Sequence, residues 1–396
     1  MFEFEVIARD PGSRARAGRF VTPHGVVETP AFMPVGTRAA VKTVDPQELE
    51  EVGAQMILSN AYHLSLQPGV ECIERLGGIH RFMGWNHPIL TDSGGFQVWS
   101  LSTRDAAGRM VRIDDDGVTF RSHLDGSVRR LTPETAVDLQ LRIGADVIMA
   151  LDECTPIGAP AEQAQLAAAR THQWARRCRD RWLERQQDSP VPQALFGIVQ
   201  GGDFRDLRRW STETIAALDL PGIAIGGQSI GYSKTKTAET LEWIEDLLPT
   251  DRPRYAMGIG DPLDFLIVIE RGIDLFDSVY PTRLARNGAL LTSEGRLRIT
   301  AVAYRSDERP VDAACQCTTC RTVSRAYLHH LFRSGELAGH RLATIHNLAY
   351  CLKIVARIRE AIRVGRLEDL RARWPRPSAT QGEDQRMGMP LASSSQ

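Results

Sequence analysis

A (β/α)8 barrel is the fold class that this 396-residue sequence predicts. Short apolar runs, each ending in a polar residue or glycine, recur at 31–36, 55–60, 88–92, 146–152, 194–200, 222–227, 254–258 and 273–277. Amphipathic, helix-like stretches separate them at 46–53, 133–144, 161–186, 204–218, 235–248 and 262–271. Eight such alternations over about 250 residues fit parallel strands ringed by helices. A doubly wound open sheet is the alternative, but no Gly-x-Gly-x-x-Gly follows a first strand.

Residues 1–30 alternate in hydropathy between turn signals at Asp10-Pro-Gly12 and Thr22-Pro-His-Gly25. They predict antiparallel strands packed on the barrel. The barrel core is expected over 31–300, and a smaller unit with C-terminal helices over 301–376. The tail 377–396, rich in Ser, Gln, Gly and Pro, is expected to be disordered. No apolar run reaches the roughly 18 residues a membrane span needs. The N-terminus has no basic segment followed by an apolar core, so a cytoplasmic protein without a membrane partner is expected.

The net charge of -1 hides an asymmetry. Residues 283–376 hold 18 Lys and Arg against 8 Asp and Glu, a net of +10. One basic third in a neutral chain points to a polyanionic partner, or else to a solvated arginine-rich helix.

Active residues of such barrels sit where strands end. Those ends are Asn60, Asp92, Asp152, Gln200, Gly226-Gly227, Gly258 and Asp277. Paired carboxylates are the working parts of glycosidic bond cleavage, and Asp277 and Asp92 suit those roles. Asp152 and Gln200 offer what reading a flat base edge requires. The run Thr91-Asp-Ser-Gly-Gly-Phe-Gln97 adds close backbone approach and an aromatic. Arg283 and Arg286 follow Asp277 closely and suggest a phosphate nearby, unless Asp277 simply pairs with Arg283.

Three of the seven cysteines fall in Cys315-Gln-Cys-Thr-Thr-Cys320. Clustered thiols in a cytosolic chain read as metal ligands, and one imidazole would complete a closed, structural zinc site. Spacing leaves His329, His330, His340 and His346 open as the fourth ligand. Cys72, Cys178 and Cys351 read as single core or surface thiols. Cys154 stands beside Asp152, but no evident base would activate it.

Several longer motifs carry a family resemblance. They are Glu28-Thr-Pro-Ala-Phe-Met-Pro-Val-Gly36, Leu90-Thr-Asp-Ser-Gly-Gly-Phe-Gln-Val98, Asp152-Glu-Cys-Thr155, Phe196-Gly-Ile-Val-Gln-Gly201 and Phe276-Asp-Ser-Val-Tyr-Pro-Thr-Arg283. With Ala285-Arg-Asn-Gly288, the cysteine cluster, Ser324-Arg-Ala-Tyr-Leu-His-His330 and Ile345-His-Asn-Leu348, they resemble the bacterial-type tRNA-guanine transglycosylases. The likeness runs from about residue 3 to 370. It implies an irregular (β/α)8 TIM barrel with a small inserted zinc-binding subdomain. It further implies exchange of guanine at the wobble position (34) of GUN-anticodon tRNAs for a 7-deazaguanine, with 7-aminomethyl-7-deazaguanine as the leading expectation. By resemblance, Asp277 is the nucleophile that forms a covalent ribosyl-enzyme and Asp92 the general acid/base. The base would be held by Asp92, Ser93, Gly94, Gly95 and Phe96, by Asp152, Gln200 and Gly227, and by Met257 against its face. RNA would be contacted by Gly258, Ile259, Gly260, Asp261, Pro262, Leu263 and Asp264, and by Thr282, Arg283, Leu284, Ala285 and Arg286. Cys315, Cys317, Cys320 and His346 would hold one structural Zn2+, and a homodimer is expected. Arg321 and Arg325 extend the set of possible phosphate grips.

The sequence departs from the family in one place. After Gly226-Gly227 the family usually reads Leu, a small residue, a hydrophobic residue, Gly and Glu, whereas this chain reads Gln228-Ser-Ile-Gly-Tyr232. In the family the glutamate serves a cationic aminomethyl group, so Gln228 and Tyr232 are candidate specificity residues, and queuine or another 7-deazaguanine is an alternative incoming base. A sugar glycosidase would be expected to have more than 7% aromatics, and a metal-dependent barrel hydrolase would need histidines at strand ends, where His63 is the only near candidate. A non-catalytic RNA-binding subunit would be expected to lose one of the paired acids. A DNA-modifying relative is the last alternative.

Overall fold

The computed structural model describes residues 2–95, 111–122, 124–186, 191–228 and 230–374. The tail 377–396 and Phe96 lie outside them. Strands β1 (Phe4–Arg9), β2 (Arg16–Thr22) and β3 (Gly25–Thr29) form an antiparallel sheet. Next come β4 (Ala31–Pro34), β5 (Ile57–Asn60) and β6 (Ile89–Asp92). Strands β7 (Arg112–Asp114), β8 (Gly117–Arg121) and β9 (Val128–Leu131) make a separate antiparallel insert. The main sheet resumes with β10 (Val147–Met149), β11 (Ala194–Val199), β12 (Gly222–Ile225), β13 (Arg254–Ala256) and β14 (Leu275–Ser278).

Each of the eight apolar runs thus becomes a strand of one parallel sheet, in the order β4-β14-β13-β12-β11-β10-β6-β5. A parallel bridge between Val35 and Leu58 brings the two edges together and closes the ring. Most of these strands are buried throughout, as expected of strands covered on both faces. Capping boxes at Asp45 and Thr132, each before a proline at the first helical position, start the helices Pro46–Glu51 and Pro133–Ile143.

The barrel interior is packed with Met33, Leu58, Leu90, Met149, Phe196 and Leu275. Phe20 and Val27 of the N-terminal sheet join this core, so that sheet plugs the bottom of the barrel. Two polar ties fasten it there. Arg16 and Asp274, both fully buried, form a two-pronged ion pair at 2.6 and 2.9 Å. Arg16 also donates to the carbonyls of Thr250 and Arg252, and the Arg254 N–H donates to Asp274. At the second tie, the stacked rings of His24 and His80 each reach one oxygen of Asp146, at 2.8 and 2.9 Å.

After β14 come the hairpin β15 (Ala289–Thr292) and β16 (Gly295–Arg298), short helices, and the 27-residue helix Leu337–Arg363. This helix starts beside the cysteine cluster and ends against the barrel, where Arg359 donates to the carbonyls of Glu28 and Pro30. Among the described residues no helix is long and apolar enough to cross a membrane.

Removing one partner of a buried ion pair strands the other charge, at a cost of about 3–5 kcal/mol. Asp274→Asn should therefore lower stability in urea denaturation by about that amount. Arg19→Ala, which breaks the more exposed pair to Glu28, should cost under about 1 kcal/mol. Equal losses would show that the bottom tie is not the stronger one.

Candidate active site

Asp92 ends β6 and Asp277 lies in β14, so both carboxylates reach the C-terminal mouth of the barrel. Asn60, the parallel partner of Asp92 at the end of β5, donates its amide to one Asp92 oxygen at 2.5 Å, and the Ala61 N–H approaches the other at 3.3 Å. The turn beyond Asp92 can pass only because Gly94 has a positive φ of 82° and no side chain. A Cβ there would lie 2.7 Å from that of Tyr62.

Asp277 makes no ion pair with Arg283. Its Oδ1 accepts from the Tyr255 hydroxyl at 2.6 Å and from the Gly258 N–H at 3.0 Å. Burial raises the pKa of Asp277, and those two donors pull it back. Burial and the nearby carboxylates push the Tyr255 phenol well up, so it remains a donor. Asp92 is pushed up to about 8, by burial first, with Asp277 adding to the rise against the bonds from Ala61 and Asn60. Two carboxylates in one low-dielectric mouth do not both ionise readily. Asp92 therefore holds a proton at neutral pH.

Between them lies a set suited to a flat heterocycle. Asp152 and Gln200 are buried after β10 and β11, and the Gln200 amide donates to Asp152 at 2.7 Å. Burial raises Asp152 to about 6, which leaves it mainly ionised at neutral pH. The Gln200 carbonyl oxygen is buried and unpartnered. Ser93, Gly94 and Gly95 are buried, Gly227 follows β12, and Met257 is half-buried after β13. Cys154 is buried and burial pushes its thiol well up, which agrees with its exclusion as a nucleophile. Gln228 does not extend freely into the mouth, because its carbonyl oxygen accepts the Ile157 N–H at 3.0 Å, whereas Tyr232 is 51% exposed.

Of the expected RNA-contact residues, Gly258 and Arg283 are exposed, and Asp261, Leu263, Leu284 and Arg286 are half-buried. Ile259, Gly260, Pro262, Asp264, Thr282 and Ala285 are buried and support the segment from beneath. Arg325 is also buried, bonded to Asp307 and to the Val311 carbonyl, and is not free to grip phosphate. The sequence reading did not single out two exposed cations, Lys42 and Arg38, and Lys42 stands close to Arg286. Lys42 is depressed by burial and then by Arg286 and Arg38, and one N–H group of Arg286 is buried without a partner. It missed Tyr255 as well. Tyr255 and Met257 alternate along the same run, a period-2 signal that places both on one face.

Cys315, Cys317, Cys320 and His346 converge, with His346 Nδ1 3.7 Å from the Cys317 sulfur and 3.2 Å from that of Cys320. A tetrahedral ion with thiolate and imidazole ligands needs N···S separations of about 3.5 Å. His346 Nε2 lies 2.7 Å from the Leu291 carbonyl and donates its proton there, so Nδ1 presents a lone pair to the cysteines. The cluster can hold a metal ion. His329 bonds the Ile299 carbonyl instead, His330 lies beside Ser334, and His340 packs edge-on against Phe332.

The carboxyl of Asp92 is protonated in the folded state from its ordinary 3.8 up to about 8, but ionises early in the unfolded chain. Stability is therefore lost as pH rises through that window and changes no further above it. Asp92→Asn escapes this loss. Its Tm should exceed that of the wild type by a margin that grows from pH 4 to 8 and then levels off. A margin that does not vary with pH would show that Asp92 is not buried in its protonated form.

The comparisons with known proteins agree with one another. The family model described as queuine tRNA-ribosyltransferase matches residues 10–379. A queuine tRNA-ribosyltransferase of Desulforudis audaxviator is 51% identical over 371 residues, covering 94% of this chain and 97% of that protein. One from Herpetosiphon aurantiacus is 50% identical over 374 residues, covering 94% and 92%. One from Pelotomaculum thermopropionicum is 48% identical over 368 residues, covering 93% and 96%. A barrel mouth with paired carboxylates, a Cys3His cluster and similarity along nearly the whole chain lead to one conclusion: this chain belongs to the queuine tRNA-ribosyltransferase family.

Proposed function

We propose that this pentosyltransferase exchanges guanine at position 34 of GUN-anticodon tRNAs for a 7-deazaguanine, through a covalent ribosyl-enzyme. The observation that carries the reading is the unlike bonding of the two acids at one barrel mouth. Both donors to Asp277 occupy Oδ1, which leaves Oδ2 to attack ribose C1′. Asp92 holds a proton at neutral pH. As the Asp277–C1′ bond forms, the C1′–N9 pair leaves with the guanine, which takes the Asp92 proton. The incoming base gives its N9 proton to the Asp92 carboxylate and attacks C1′, which frees Asp277. The cycle closes with no net proton change.

Asp152 accepts the two N–H groups of the guanine edge, while the Gln200 amide and the Gly227 N–H approach its carbonyl oxygen. Met257 covers one face. Arg283 and Arg286, joined by Lys42 and Arg38, hold phosphates of the anticodon loop. Bound phosphate offsets the repulsion from Arg286 and Arg38 that, after burial, depresses Lys42. Zinc is the ion best suited to three thiolates and one imidazole. With all four positions taken by protein, it would supply structure and no step of the exchange.

The carrying test is a trap. Wild-type protein incubated with substrate tRNA and a base analogue should give an RNA–protein adduct on a denaturing gel, and Asp277→Asn should give none. An adduct that persists in the variant would transfer the nucleophile's role elsewhere. Absence of any wild-type adduct would favour an RNA-binding subunit or a DNA-modifying relative.

A second reading concerns the incoming base. Both 7-aminomethyl-7-deazaguanine and queuine carry an ammonium at this point, whereas Gln228 is engaged with Ile157 and Tyr232 offers a phenol in place of a carboxylate. The exposed phenol can pack against the additional ring that only queuine brings, which favours the larger substituent. Side-by-side exchange of the two bases into tRNA should show queuine accepted at least as well. Strong preference for the aminomethyl base would sink this second reading and leave the first intact.

A further inference from the structure

Arg208 sits in the first turn of the helix Arg205–Ala216 and is fully buried. Its place is unfavourable twice over. A buried guanidinium is costly without a carboxylate partner, and Arg208 makes no ion pair among the described residues. A cation at a helix N-terminus also opposes the helix dipole. Burial lowers its pKa to about 10, which still leaves it charged at neutral pH. Its bonds go to backbone carbonyls: Nε to Gly202 at 2.7 Å, and Nη1 to Gly226 at 2.7 Å and Val199 at 3.4 Å. Nη2 is buried and has no partner.

The Gly226 carbonyl and the Gly227 N–H belong to one peptide group. A guanidinium bonded to that carbonyl draws electron density toward the oxygen and makes the N–H on the other side a stronger donor. The guanidinium lies close against this peptide. Gly227 has a positive φ of 115°, and a Cβ there would lie 2.4 Å from Arg208 Nη2. The same guanidinium also holds the Gly202 carbonyl, two residues beyond Gln200, so one group ties the loops after β11 and β12 together.

We propose that Arg208 is a positioning residue for base exchange, acting through the Gly226–Gly227 peptide to strengthen the N–H that receives the base carbonyl oxygen. This rests on the reading above in which Gly227 faces that oxygen. When the C1′–N9 bond breaks, negative charge spreads into the purine and onto that oxygen. A donor backed by a fixed cation stabilises that charge more than the neutral ground state.

The test separates the carbonyl from the rest of the base. Guanine is compared with 6-thioguanine, which keeps the N1–H and the 2-amino group and replaces the 6-oxygen with sulfur, a weaker hydrogen-bond acceptor, in wild type, Arg208→Lys and Arg208→Met. In the variants kcat for guanine exchange should fall on the order of 100-fold and KM for guanine should rise about 10-fold or more. KM for tRNA and the inhibition constant of 6-thioguanine should stay within about three-fold of wild type. Equal weakening of both bases, or of neither, overturns the proposal. Should both variants fail to fold, the wild type still decides. Guanine should bind at least about 10-fold more tightly than 6-thioguanine, which differs from it only at the atom that meets the Gly227 N–H, and equal binding overturns the proposal. A wild-type enzyme that exchanges no guanine into tRNA would instead remove the base-exchange reading itself.

Discussion

The structure depends on keeping one carboxylate, Asp277, enclosed and yet only half satisfied. A fully satisfied carboxylate would be a structural acid, and an unsatisfied one would take up a proton or disrupt the barrel mouth. Tyr255 and Gly258 both bond a single oxygen and resolve the conflict. Their position follows from the sheet, because β13 and β14 are parallel neighbours. A strand register fixed by core packing at Tyr255 and Leu275 thus decides which carboxylate oxygen is free. Across the mouth, separated by β4 and β5, Asp92 accommodates the same field by holding its proton.

The ground beneath this arrangement comes from the C-terminal helix. His346 bonds the Leu291 carbonyl, and Asn347, the next residue, accepts the Leu291 N–H and donates to the carbonyls of Pro281 and Ala289. Pro281 opens the short helix that carries Arg283 and Arg286. The cysteine cluster, the hairpin β15–β16 and the segment leaving Asp277 are therefore joined by adjacent residues on one helix. That helix runs on to bond Glu28 and Pro30 next to β4. A metal ion at the cluster would stiffen the platform that presents the arginines, without approaching the chemistry.

The eight strands were legible because each is an apolar run that stops at a polar residue or a glycine, and burial on both faces leaves few other uses for such runs. The acids at the strand ends were legible for the same reason. What the sequence hid are partners brought from far away. Nothing near Asp274 announces Arg16, 258 residues earlier, and nothing near Gly227 announces Arg208 on the preceding helix. Nor does spacing separate buried from exposed arginines: Arg325 lies in the same basic third as Arg283, yet it is spent on Asp307 and Val311. Periodicity reports which face is covered, not which distant group covers it. The fourth ligand of the cysteine cluster was open on spacing for this reason, and it is the helix trajectory that brings His346 rather than His340 to the sulfurs.

In the proposed exchange the leaving and entering bases show Asp152, Gln200 and Gly227 the same edge. Discrimination cannot come from that wall. It has to come from position 7, where guanine has a nitrogen with a lone pair and a 7-deazaguanine has a carbon. Guanine can accept the Asp92 proton at that nitrogen and leave as a neutral base, whereas the deaza base has no equivalent site, so its glycosidic bond is the harder one to reopen. Direction then follows from the chemistry of the two bases and the protonation of Asp92, and the turn at Gln228–Tyr232 has only to choose among substituents. A turn freed from the task of directionality can change its residues while the acids and the Gly226–Gly227 peptide stay fixed. This chain has that combination: an intact pair of acids, with Gln228 and Tyr232 following the Gly226–Gly227 peptide.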